Sequence, residues 1–241
     1  MDRRNFLKVT AATGLVAVSP SLLTTKLHAT ANNLFVTYEK VQLVDANGVA
    51  LKASALKKET NYVFNYPFVS TPAILLDLDT PTAVDVKLTS ECGQEYLWKS
   101  GVGAKRTIVA YSAICSHQLA HPTPDDSFLQ YCTKEQKTMA YDHGGVMVCS
   151  SHLSAFNVSE GCKRLSGPAA QPLASIVIEV AEDDTLWAVA VLGPDKFHEY
   201  FNDFKPEFKK FYGGKREAKN LVTSSAKMVT LNEYTKEIIQ Y

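Results

Sequence analysis

Two short pairs constrain this 241-residue chain more than anything else in it: Cys115-Ser116-His117 and Cys149-Ser150-Ser151-His152, separated by 31 residues. Two thiolates and two imidazoles hold metal only if the fold brings both loops to one place, so the architecture must deliver them there. Two readings suit the donor set. One is a structural zinc ion in a tetrahedral shell. The other is a [2Fe–2S] cluster with the cysteines on one iron and the histidines on the other. The single residue between Cys115 and His117 is awkward around one small ion, whose ligand knuckles usually space by about two to four residues. It suits two metals that neighbouring ligands reach separately.

The surrounding sequence supplies a β scaffold. From about Leu34 to Leu192 short β-type runs alternate with turn residues. The strand candidates are 35–38, 41–44, 62–66, 73–78, 83–88, 107–111, 146–148, 176–180 and 186–191, with Asp45-Ala46-Asn47-Gly48 as a hairpin turn. Many short strands with Gly, Pro, Asn and Asp between them predict an all-β antiparallel sandwich or barrel. With 46 % hydrophobic residues the chain can build a core, and 25 basic against 25 acidic side chains leave no excess to neutralise nucleic-acid phosphates. After Gly193-Pro194 the period changes: Phe197, Tyr200, Phe201, Phe204, Phe208 and Phe211 fall on one helical stripe, to be kinked or split by Pro206 and packed over the sheet, with a docking helix for a partner as the alternative. Gly213-Gly214 ends it, and Lys215 to Tyr241 reads as a polar linker with a weak strand at Met228–Leu231.

The first residues read as an address. Arg3-Arg4 precede Phe6-Leu7-Lys8, a mildly apolar run broken by Pro20 follows, and Ala29-Thr30-Ala31 gives a cleavage pattern, so 1–31 looks like a twin-arginine signal. That route exports folded proteins to the periplasm, often with a cofactor inserted. The 17 residues between Lys8 and Lys26 make a poor span, against the ~20 apolar residues a membrane helix needs. Without residues 1–31, which hold four basic side chains against Asp2, 21 basic and 24 acidic residues remain, a net charge of −3.

The chain resembles the Rieske iron–sulfur family over roughly 101–192. The likeness is carried by Gly101-Val102-Gly103, the run Ile108 to His117, the pair Cys149/His152 with Ser154, and Gly167-Pro168-Ala169. It implies a Rieske-type antiparallel β sandwich over 32–192 with a cluster-binding subdomain at about 101–175, followed by a C-terminal helical extension and tail over 193–241. It implies one [2Fe–2S] cluster, with Cys115 and Cys149 on the buried iron, His117 and His152 on the outer iron, Ser154 donating a hydrogen bond to a cluster sulfide, and the Gly-Pro-Ala loop as cover.

Departures from the family sharpen the expectation. In cytochrome bc complexes an extra cysteine in each ligand loop forms a disulfide; those positions here are Ala120 and Ser151. A tyrosine that hydrogen-bonds a ligand sulfur is Phe156 here. Losing that bond disfavours the reduced cluster, so the potential is expected within the roughly −150 to +300 mV of Rieske centres and below the quinol-oxidising members. Cys132 and Cys162 are a candidate replacement brace; the alternative is that they and Cys92 are small buried hydrophobes. His121 is expected to be an exposed loop histidine, with a spare ligand or proton site as the alternative. His143 reads as a turn residue and His198 as helix surface.

The expected function is single-electron transfer in the periplasm, with the histidine edges as docking point. The partner is a redox protein: a molybdenum oxidoreductase subunit, as for arsenite-oxidase-type small subunits, a cytochrome, or a quinol-oxidising complex. In the alternative, a cytochrome bc-type complex, the uncleaved signal anchors the chain to the membrane. A Rieske oxygenase would need a mononuclear iron held by two histidines and a carboxylate, and past Leu192 the sequence offers only His198.

Overall fold

The computed structural model describes residues 34–240; the export signal read over 1–31 lies outside them. In chain order the strands are β1 (Phe35–Val44), β2 (Tyr62–Asn65), β3 (Pro72–Asp77), β4 (Val86–Thr89), β5 (Glu95–Trp98), β6 (Ile108–Ser112), β7 (Asp126–Ser127) and β8 (Leu129–Cys132). They continue as β9 (Val146–Cys149), β10 (Ser154–Asn157), β11 (Lys163–Ser166), β12 (Ser175–Val180), β13 (Leu186–Leu192), β14 (Ser225–Lys227), β15 (Val229–Thr230) and β16 (Glu237–Ile238). The α-helices are α1 (Phe197–Asp203), α2 (Lys205–Tyr212), α3 (Lys215–Ala218) and α4 (Leu231–Tyr234).

The main sheet runs β1-β13-β12-β6-β3-β2, antiparallel throughout. β14 pairs parallel with β1 and β15 antiparallel with β2. Only Met228 separates β14 from β15, so one continuous stretch covers both edges and closes the sheet on itself. The smaller sheet, β11-β10-β9-β8, and the hairpin β4-β5 lie apart from it.

Strand alternation divides the interior. Ala73 and Leu75 of β3 and Ile108 and Ala110 of β6 point into one core, which also takes Tyr200, Phe201 and Phe208 from the helices. Ile74, Leu76, Val109 and Tyr111 point into a second core, shared with Trp98, Leu129, Met147, Phe156 and both Cys115 and Cys149. Burial on both faces is why β3 and β6 read as unbroken apolar runs. It also sets the two cysteines on the face of the main sheet away from the helices.

Several local expectations change. The runs 35–38 and 41–44 are a single strand, β1, with an irregularity between Thr37 and Val41. The aromatic helix is split: α1 stops at Phe204, and Pro206 sits in the first turn of α2, where its missing N–H costs nothing. The weak strand read at Met228–Leu231 is β15, and the stretch read as a linker carries α3, β14, α4 and β16, with a capping box between Thr230 and Glu233 opening α4. No helix among the described residues is long and apolar enough to cross a membrane.

Phe208 is fully buried, its ring centroid 5.0 Å from that of Tyr200 and 5.7 Å from that of Phe201. Phe208→Ala is therefore expected to cost about 3–5 kcal/mol. Chemical denaturation measures it; a loss below about 1 kcal/mol would show that the helices merely lie on the sheet.

Candidate metal centre

The two ligand pairs arrive from different sheets. β6 of the main sheet runs out through Ala113 and Ile114 to Cys115, and β9 of the smaller sheet ends at Cys149, four residues of turn before β10. Each loop closes through a leucine in the left-handed region, Leu119 at φ +61° and Leu153 at φ +58°, a conformation that costs a non-glycine residue on the order of 1 kcal/mol. The first loop is further closed by the Cys115 N–H donating to Ala120 O at 2.9 Å and the Leu119 N–H to Cys115 O at 3.0 Å.

At the meeting point the four side chains pair by type. The Cys115 and Cys149 thiols are buried and hydrogen-bonded to each other, and neither forms a disulfide. The His117 and His152 rings meet edge-on with centroids 4.9 Å apart and an interplanar angle of 89°. His117 is half-buried and His152 exposed. Each sulfur also accepts backbone N–H groups two and three residues on: His117 and Gln118 for Cys115, Ser151 and His152 for Cys149. The hydrogen bond from Cys149, aided by those amides, holds the Cys115 thiol below its ordinary range. The same contact, with burial, pushes Cys149 up.

These residues fit a [2Fe–2S] group. His117 Nδ1 is buried without a hydrogen-bond partner, the condition of a ring nitrogen that serves as a metal ligand. The observed pairing, sulfur with sulfur and imidazole with imidazole, matches two irons better than one tetrahedral zinc.

A third loop covers both. Ala169 N–H donates to Ser154 Oγ at 3.2 Å, and Ser116 Oγ donates to Gln171 O at 2.8 Å, so 167–171 touches the second and first ligand loops in turn. Ser154 is fully buried and its oxygen accepts from Ala169, which leaves its own proton to donate. Phe156 is fully buried opposite Met147 and brings no hydroxyl to the site.

Not every candidate arrives. All five cysteines are free; Cys132 lies in a small cluster with Ala140, Val146, Val148 and Ala155, and Cys162 in the second core, so the brace posed between them is not formed. Burial pushes the Cys132 thiol up to about 11 and Cys162 well above its ordinary range, which makes both inert hydrophobes. Cys92 is exposed, not buried, because it sits in the turn between β4 and β5. His121 is buried rather than exposed, held by Leu119 O and Glu207. His143 and His198 are exposed, on a turn and on α1.

Residues 79–177 match the family described as the Rieske [2Fe-2S] domain. Two relatives are each named iodate reductase subunit IdrB. That of Pseudomonas sp. (strain SCT) is 31 % identical over 64 % of this chain and 64 % of its own length, just under two thirds. That of Denitromonas iodatirespirans is 29 % identical over 80 % of this chain and 82 % of its own. The soluble domain of the Rieske protein II from Sulfolobus acidocaldarius superposes with a TM-score of 0.48 at 19 % identity, covering 79 % of this chain and 96 % of that one.

A Cβ at Gly167, where φ is +81°, would lie 2.4 Å from Leu153 O and 2.5 Å from Ser154 Cα. Gly167→Ala is expected to push the cover loop off the second ligand loop, costing about 1–3 kcal/mol and lowering iron retention. Gly48→Ala is the control, since Gly48 has the same φ and open space around it. Equal iron content and equal melting temperatures in the two variants would contradict the packing role.

Proposed function

Residues 79–177 being a Rieske [2Fe–2S] domain, we propose that this chain is the electron-transfer subunit of a periplasmic oxidoreductase, with Cys115 and Cys149 on the inner iron and His117 and His152 on the outer. The observation that carries this reading is the division of the site, with a buried thiol pair behind and an imidazole pair at the surface. When bound, the cluster supplies a single-electron couple.

The chain's own residues set what surrounds that couple. The amides of His117, Gln118, Ser151 and His152 point at the two sulfurs and favour the more negative, reduced form. Ser154 adds a hydroxyl with a free proton, and Phe156 withholds the one a tyrosine would bring. His152, the exposed ligand, gives the shortest path between the site and a docked protein. The second core, packed with Trp98, Met147 and Phe156, keeps water from the thiol side.

The partner is a larger redox enzyme. Both relatives are named as subunits of an iodate reductase, which supports a reductase or another oxidoreductase over a free-standing carrier. A molybdenum oxidoreductase remains the partner class we favour, and the twin-arginine pattern at Arg3-Arg4 supports export of the folded, loaded chain. Fractionation separates this from a quinol-oxidising complex: release as a soluble protein beginning at Asn32 supports it, and retention in the membrane with residues 1–31 intact contradicts it.

The protein purified from the periplasm is expected to show a reduced-state EPR signal of a Rieske centre and a midpoint within roughly −150 to +300 mV, below the quinol-oxidising members. A colourless, EPR-silent protein would overturn the assignment. Phe156→Tyr is expected to raise the midpoint. One added hydrogen bond of about 1 kcal/mol is worth roughly 40 mV on a one-electron couple. An unchanged or lower potential would contradict the part given to Phe156.

A further inference from the structure

We propose that the buried pair His121–Glu207 is the brace of the first ligand loop: through it, helix α2 grips the turn that carries His117. The inference rests on the reading of Cys115, His117, Cys149 and His152 as cluster ligands. His121 is a positioning residue, acting on the site through the turn it fastens.

The geometry is specific. His121 Nδ1 lies 2.6 Å from Leu119 O, and Nε2 lies 2.8 Å from Glu207 Oε1. The carbonyl only accepts, so Nδ1 donates to it, and Nε2 shares a second hydrogen bond with the Glu207 carboxyl. The two side chains are 3 % and 18 % exposed. Tyr200 and Phe204 stand edge-on to the ring, each with its centroid 4.8 Å away. In such surroundings neither polar group can lose its partner cheaply. Leu119 is the left-handed residue of the first loop, and its N–H donates back to Cys115 O. The ring is thus fastened to the residue on which the loop turns.

A second set of contacts takes hold just beyond. Lys210 of α2 and Lys236 both pair with Asp125, whose carboxyl they hold down at about 2. The N–H groups of Lys236, Glu237 and Ile239 donate to the carbonyls of Pro124, Asp125 and Ser127. From Phe128 O the hold passes to the second loop, which donates through Ser150 N–H at 2.7 Å. The C-terminal extension therefore grips the segment that joins the two ligand loops. A disulfide between the positions of Ala120 and Ser151 would tie those loops directly; without it, the histidine next to Ala120 ties the first loop from behind.

A buried polar pair contributes little global stability compared with apolar side chains of similar volume, but it fixes a geometry. That difference gives the test, made on the holoprotein by amide hydrogen exchange and by the rate of cluster loss to a chelator. Glu207→Leu is expected to speed exchange in 113–121 and cluster loss roughly tenfold, with 175–192 unchanged. Glu207→Gln, which keeps an acceptor, is expected to recover most of both. The double variant His121→Leu/Glu207→Leu leaves no unpaired polar group among the surrounding aromatic rings, so it folds even where the single variant does not. It is expected to keep the melting temperature while the first loop still exchanges faster. The brace is overturned if Glu207→Leu, or the double variant where the single one does not fold, changes loop exchange by less than about twofold, or if exchange rises evenly across the main sheet. Glutamine failing to recover the loop overturns it as well. The EPR signal of the unmodified protein judges the cluster reading separately, and loop exchange judges the brace whether or not that signal is seen.

Discussion

Two loops that leave different sheets must hold two thiols and two imidazoles face to face, and most of the structure answers to that requirement. β6 belongs to the main sheet and β9 to the smaller one, so nothing in the ladder hydrogen bonding fixes one loop against the other. The fixing comes from side contacts. Ser116 and Ser154 both reach the 167–171 loop, and Ser150 reaches the segment between the loops. Each contact is an ordinary hydrogen bond, worth on the order of 1 kcal/mol, and their number rather than their individual strength makes the site rigid.

The C-terminal extension has two jobs in the fold. Through β14 and β15 it covers both edges of the main sheet, and through α2, Lys236 and β16 it reaches the segment after the first ligand loop. The helical aromatics fill the core on one side of β3 and β6 while the cluster side is filled from the other. The helices thus pack on the strand that delivers Cys115. With the proposed His121–Glu207 brace, that packing would hold the ligand loops of a chain with Ala120 and Ser151 in place of the loop cysteines.

The ligand pairs, the apolar strands and the aromatic stripe were legible because each is a local pattern with a fixed period or spacing. β3 and β6 are buried on both faces and so carry apolar residues at every position but the last, and Pro206 split the helix for the reason its ring predicts. β10 and β11 were not legible: four residues each, one opening on Ser154 and the other on Lys163-Arg164, show no alternation to find. The environment of His121 was hidden for a different reason. Its partner Glu207 lies 86 positions away, and no local pattern joins them. Cys132 and Cys162 show the converse, since nearness in sequence to the ligand loops suggested a bridge while the fold sends them into separate apolar clusters. The capping box at Thr230 and Glu233 was readable and would have shown the helical turn that follows the weak strand.

The central claim is the division of labour between the two residue types, and anomalous scattering at the iron edge from crystals of the loaded protein tests it most directly. The account predicts two iron peaks, the inner bonded to the sulfurs of Cys115 and Cys149 and the outer to the rings of His117 and His152. A single metal peak shared by all four side chains, or one bound by only one of the two loops, would contradict it.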